Sequence, residues 1–157
     1  MRKSMVIQMD NTIVVPMELA HIDDVLAVEK LSFTIPWSRE SFISEISQNN
    51  LSRYVVSICN GKATGYGGMW IIAGEAHITN IAVHPDFRGK GTASAILDAL
   101  LLICTRESVS DITLEVRESN IPAINLYTKY GFKKEGLRKG YYEDNKEAAL
   151  IMWRREK

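Results

Sequence analysis

HITNIAVHPDFRGKGTASAILDALLLIC, residues 77–104, decides how this chain is read. Ile78, Ile81 and Val83 mark an apolar run that Pro85 stops; a loop of glycines and bases follows, and from residue 92 the chain turns strongly apolar for about four helical turns. Strand, tight loop, helix is the simplest account of that pattern. The first N–H groups of a helix have no internal partner, and together with the helix dipole they attract anions. Arg88 and Lys90 add positive charge there, while Gly89 and Gly91 have no Cβ to keep a ligand from the main chain. A phosphate-bearing ligand is therefore expected at this loop.

Three glycine-loop patterns compete for it. A Walker loop aligned on Gly89 and Lys90 needs glycine where His84 stands and a hydroxyl where Gly91 stands. A dinucleotide fingerprint starting at Gly89 and Gly91 finds Ser94 at its third glycine, and the nearest acid, Asp111, precedes the next strand instead of ending it. The pattern Q/R-x-x-G-x-G/A fits without a gap as Arg88, Gly91 and Ala93. It resembles the pyrophosphate loop of the GNAT family of N-acetyltransferases, which bind acetyl-coenzyme A.

Outward from this stretch the chain continues in the same style. Downstream, residues 112–116 read as a strand, and Pro122 suits the first turn of a helix that Gly131 ends. Residues 132–137 and 148–153 read as two strands joined by a polar, aromatic loop. Upstream, 54–59 and 64–72 flank Asn60-Gly61, a strong two-residue hairpin signal, and Gly74 turns the chain into the strand 76–83. Gly65, Gly67 and Gly68 suggest close packing or a bulge. Before them come a β-branched strand at 13–15, a helix over 19–33, and a second helix capped by Ser38.

The order βααβββαβαββ describes one α/β (α+β) domain, a mixed and mostly antiparallel sheet with flanking helices. It spans residues 12–157 behind a flexible N-terminal segment, 1–11. The resemblance implies the GNAT fold, in which the sheet splays after the central strand and the pantetheine arm of the cofactor lies in the gap against the main chain near Ile81, Ala82 and Val83.

A second motif, LEVRESNIPAINLYTKYGF at residues 114–132, places Glu115 in a strand, Asn120 in the following loop and Tyr127 in the next helix. Acyl transfer from a thioester to an amine needs no metal and no protein nucleophile. A carboxylate, usually through water, serves as base and a phenol protonates the departing sulfur. The motif is similar to the L-E-V-R-x-S-N-x-x-A-x-x-L-Y-x-x-x-G-F signature of the RimI-type members of the family, which acetylate the N-terminal alanine of a small-subunit ribosomal protein. That resemblance implies Glu115 as general base, Tyr127 as general acid and Asn120 as a pantetheine contact, with Arg88, Gly89, Lys90, Gly91, Thr92 and Ala93 as the pyrophosphate loop. It further implies that Pro36 and Trp37, and the late pair Tyr141 and Tyr142, lie beside the acceptor peptide. Ile35 replaces the family's aromatic and Arg88 its commoner glutamine.

Three of these side chains also suit plainer roles: Glu115 a surface ion pair with Arg117, Tyr127 core packing and Asn120 a helix cap. If Glu115 is the base, partial burial should raise its pKa, or it should act by ordering water. His21, His77 and His84 have no metal-ligand spacing and are assigned no chemistry, and the acid-rich run 143–147 reads as a solvated loop.

Composition bounds the rest. At 157 residues one ordinary domain is expected, and 19 basic residues against 19 acidic ones give no bulk attraction to nucleic acid or membrane. No segment reads as a signal peptide or membrane span, so a cytoplasmic protein is expected. Cys59 and Cys104 lie apart in apolar segments, which predicts neither a disulfide nor a metal site. Acetyl-coenzyme A is the expected cosubstrate and a ribosomal-protein N-terminal peptide the expected partner. The alternatives are transfer to a small amine or lysine, or a non-catalytic acyl-coenzyme A sensor.

Overall fold

Asn60 and Gly61 both adopt positive φ, 53° and 80°, the conformation a two-residue hairpin turn of matching twist requires. They join β3 (Ser52–Cys59) to β4 (Lys62–Ile72), and Ala73-Gly74, again both at positive φ, turns β4 into β5 (Glu75–Val83). This three-strand meander is the centre of an eight-stranded sheet in a computed structural model that describes residues 7–9, by their backbone, and 11–155. On one side the sheet continues through β2 (Thr12–Pro16) to β1 (Ile7–Met9); on the other through β6 (Asp111–Arg117) and β8 (Ala149–Arg154) to β7 (Lys133–Arg138). Every pairing is antiparallel except β5 with β6. Strand β1 falls inside the stretch expected to be a flexible leader, where it pairs with β2 from Ile7 opposite Val14 to Met9 opposite Thr12; the remainder of residues 1–10 lies outside the described residues.

Among the described residues four helices cover the sheet: α1 (Ile22–Ser32), α2 (Arg39–Ser47), α3 (Thr92–Arg106) and α4 (Ile121–Lys129). Helix α1 is shorter than its apolar period suggests because residues 19–21 form a 3-10 turn, closed by the Glu18 N–H donating to His21 Nδ1 at 2.9 Å. Ser38 caps α2 by accepting the Ser41 N–H. Helices α3 and α4 share one face of the sheet. There Ile96, Leu97, Leu100, Leu114, Phe132 and Met152 are fully buried, each such side chain adding about 1.5–3 kcal/mol. Helices α1 and α2 cover the other face over Val25, Val28, Phe42, Val56 and Tyr66.

The glycines of β4 are there for space. A Cβ on Gly67 would stand 2.5 Å from the Ile96 side chain and one on Gly68 2.3 Å from the Tyr54 ring, so helix and ring press directly on the strand. Among the described residues no helix is long and apolar enough to cross a membrane, and no three side chains group as metal ligands.

Candidate active site

Strand β5 delivers the chain into the loop at residues 84–91. Pro85–Phe87 make a 3-10 turn, and Gly89 and Gly91 follow at φ +75° and +84°, a left-handed conformation costly for any residue with a Cβ. Gly91 is the N-cap of α3 and brings no side chain to its own cap, so the first-turn amides are open to an anion. Thr92 is buried against the Phe87 carbonyl, and Lys90 lies 5.5 Å from the Phe87 ring centroid. The side chain of Arg88 also serves as a strut. Its Nε donates to the Val83 carbonyl at 2.9 Å and its Nη2 reaches Ser32 Oγ at 3.4 Å, tying the end of β5 to the end of α1. An anion at this loop would meet the main-chain amides and Lys90, with the Arg88 charge beside them.

The gap beside the loop has a definite origin. Strands β5 and β6 pair only from Glu75 with Asp111 to Ile78 with Leu114. Beyond that, Thr79 is an extra residue in β5 opposite the step from Gly68 to Met69, a bulge that bends the strand. The bulge also resets which side chains face which core: Ile78 and Ile81 both pack on the α3 side, whereas Ala82 packs on the α1 side. Because the His84 N–H donates to Thr64 in β4, strand alternation turns the polar groups of Ala82 toward β4 and those of Ile81 and Val83 toward the gap. Ile81 to Val83 thus form one wall, and Glu115 to Arg117 of β6, paired only with β8, form the other.

Glu115 is the first β6 residue past the last β5–β6 pair, on the face opposite buried Leu114 and Val116. Its Oε1 lies 2.7 Å from His77 Nε2, and its side chain is 15% exposed. The bond from His77 holds the Glu115 carboxyl below the usual carboxylate range, outweighing the opposite effect of burial. This corrects the expected upward shift; a hydrogen-bond donor from the neighbouring strand, 38 residues away in sequence, decides the sign. The alternative pairing with Arg117 does not occur. Arg117 instead binds Asp144 at 2.8 Å and Glu147 at 3.2 Å and lies 4.0 Å from the Tyr142 ring centroid. Two acids of the run at 143–147 are therefore fastened to β6 through Arg117 instead of standing free in solvent.

Tyr127, on α4, is buried with its ring edge-on to Phe132, and burial lifts its phenol well above the ordinary value, so it keeps its proton. The Tyr142 phenol adds to that lift, and burial pushes Tyr142 itself up to about 12. Tyr141 packs edge-on against Tyr142 at 5.0 Å and lies within the electrostatic reach of Glu115. Glu115, Tyr127, Tyr141 and Tyr142 are thereby linked in one neighbourhood drawn from β6, α4 and the loop between β7 and β8. Asn120 caps α4, its Oδ1 accepting the Ala123 N–H at 3.3 Å.

Across from this loop, Trp37 packs its ring on Phe42 and donates its backbone N–H to buried Glu29 at 3.0 Å, while Pro36 and Ile35 are exposed. Burial raises the Glu29 carboxyl, which also accepts the Tyr66 hydroxyl. Arg117 first, and Thr34 of the same segment least, hold the Asp144 carboxyl below the usual range, so the α1–α2 loop is electrostatically near the β7–β8 loop. His77 is the site residue that sequence reasoning missed. Its place one residue before the end of the β5–β6 ladder is the signal, and it requires the strand register to be known.

Residues 22–132 match the acetyltransferase (GNAT) family. A protein of Bacillus subtilis (strain 168), provisionally named a ribosomal protein bS18-alanine N-acetyltransferase, is 42% identical over 137 residues, covering 87% of this chain and 91% of that one. The ribosomal protein bS18-alanine N-acetyltransferase of Escherichia coli (strain K12) is 34% identical over 127 residues, 80% of this chain and 84% of its own. The crystal structure of the Escherichia coli ribosomal-protein-S18-alanine N-acetyltransferase superposes with a TM-score of 0.83 at 30% identity, covering 92% of this chain and 93% of that one.

Proposed function

This chain belongs to the acetyltransferase (GNAT) family and is an N-acetyltransferase; from that premise we propose that it moves the acetyl group of acetyl-coenzyme A directly to the N-terminal alanine amine of a small-subunit ribosomal protein. The names of its relatives support this acceptor, and the family supports the donor. The observation that carries the mechanism is the position of Glu115, at the point where β5 and β6 part, with Tyr127 on the helix that follows β6.

In this reading the amides of residues 89–93 hold the diphosphate, Lys90 adds charge, and the open edge of Ile81 and Val83 aligns the pantetheine amides, with Asn120 beside them. Glu115, directly or through water, first takes a proton from the acceptor ammonium, and the free amine then attacks the thioester carbonyl. Tyr127 gives its proton to the sulfur as the carbon–sulfur bond breaks, and recovers the surplus proton that the attacking nitrogen carries in the tetrahedral intermediate. Trp37, Pro36, Tyr141 and Tyr142 line the acceptor's approach.

The lowered pKa of Glu115 favours an N-terminal acceptor. An α-amine with a pKa of about 8 is roughly one-tenth deprotonated at neutral pH, whereas a lysine near about 10.4 is below about a thousandth. The first asks less of a weak base than the second. The test is mass spectrometry of peptides offered with acetyl-coenzyme A. Acetyl on the α-amine of alanine-led peptides is expected; acetyl confined to lysine of N-terminally blocked peptides overturns the acceptor, and no acetylation of either leaves the sensor reading.

A further inference from the structure

The hydrogen bond between His77 and Glu115 joins β5 to β6 across the place where the two strands separate. His77 stands opposite Thr113, one residue before the ladder ends, and Glu115 is one residue beyond its end. Both point away from the core under α3: Ala76 and Ile78 flank His77 and are buried there, as are Leu114 and Val116 around Glu115. At 2.7 Å the contact must contain a proton. An ionised carboxylate only accepts, so that proton sits on Nε2, and Nδ1 is the nitrogen whose protonation changes the ring's charge.

We propose that His77 is a positioning residue for Glu115, an inference resting on the reading of Glu115 as base. Its Nε2–H holds Oε1 and thereby leaves Oε2 for the acceptor amine. Among the described residues the other groups facing the pair are Arg138 on β7 and Tyr141 and Tyr142 on the β7–β8 loop. Trp70 lies opposite His77 in β4, and its indole N–H is given to Glu45 on α2. The bond that fixes the carboxylate is therefore the one from His77.

The test compares the wild type with His77→Gln, which keeps a hydrogen-bond donor, and His77→Leu, which has none. His77→Leu should lose about tenfold in kcat with KM for acetyl-coenzyme A unchanged, and glutamine should restore most of that loss. If both variants keep the wild-type kcat, His77 is a surface partner only and the inference fails while the base reading stands. If Glu115→Gln turns over like the wild type, the base reading itself fails. Should His77→Leu not fold, His77→Ala, which also lacks the donor, makes the same comparison with His77→Gln.

Discussion

The two halves of this site are built from different materials. On the side proposed for the cofactor, residues 85–93 form one continuous stretch in which two glycines at positive φ and an unblocked helix start offer a surface made of main chain. On the side proposed for the acceptor, Glu115, His77, Tyr127, Trp37, Tyr141 and Tyr142 come from β6, β5, α4 and two loops, and their properties depend on how side chains meet. A main-chain site tolerates changes of side chain but not of backbone conformation. A side-chain site does the reverse, since each group takes its strength from a neighbour, as Glu115 does from His77.

The largest effect that can separate the halves is at the base. Glu115→Gln should lower kcat by about a hundredfold or more while KM for acetyl-coenzyme A stays within about twofold, because removal of a general base is felt in turnover and not in ground-state cofactor binding. Steady-state kinetics with the alanine-led peptide read this, and equal turnover in the two proteins removes Glu115 from the mechanism. Next is the mirror image on the cofactor side. Gly91→Ala forces a Cβ into φ +84°, at about 1–2 kcal/mol, and should raise KM for acetyl-coenzyme A about tenfold with kcat changed far less. If it lowers kcat alone, the division of labour is wrong.

That asymmetry also explains what the sequence could reveal. Local chemistry was legible: Asn60-Gly61 announces its turn, Ser38 the cap of α2, Gly91 its loop, apolar patterning α1 and α3, and Pro122 with Gly131 the bounds of α4. The splay of the sheet could not come from periodicity, because it results from a bulge at Thr79 that depends on pairing with β4. Neither could the bond from His77 to Glu115, 38 residues away in sequence, or the use of Arg88 as a strut for Val83. Strand β1 does carry a signal, Ile7 and Met9 alternating about Gln8 ahead of Asp10-Asn11, which the reading of 1–11 as a flexible segment passes over.

A smaller effect tests whether the scaffold is separable from both halves. Gly68→Ala brings a Cβ to 2.3 Å from the Tyr54 ring and should destabilise the fold by about 1–3 kcal/mol, read from denaturant unfolding. KM for both substrates should change little at temperatures where the variant is folded. The smallest effect concerns pH. Because the folded-state pKa of Glu115 is depressed, its pairing contributes stability above the ordinary carboxylate pKa and loses it as pH falls through the lower folded value. Glu29 is raised and acts oppositely: its contribution is full below the ordinary value and is lost as pH rises toward the folded one. Unfolding midpoints measured from pH about 3 to 6 should therefore show a shallower rise in Glu115→Gln than in the wild type, and a steeper one in Glu29→Gln.

A crystal structure of the protein grown with coenzyme A meets the division between main-chain and side-chain halves head on. The diphosphate should rest on the amides between Gly89 and Ala93, with the pantetheine chain between β5 and β6 and its sulfur near Tyr127. A diphosphate bound by side chains elsewhere, or a pantetheine chain outside that gap, would contradict the account.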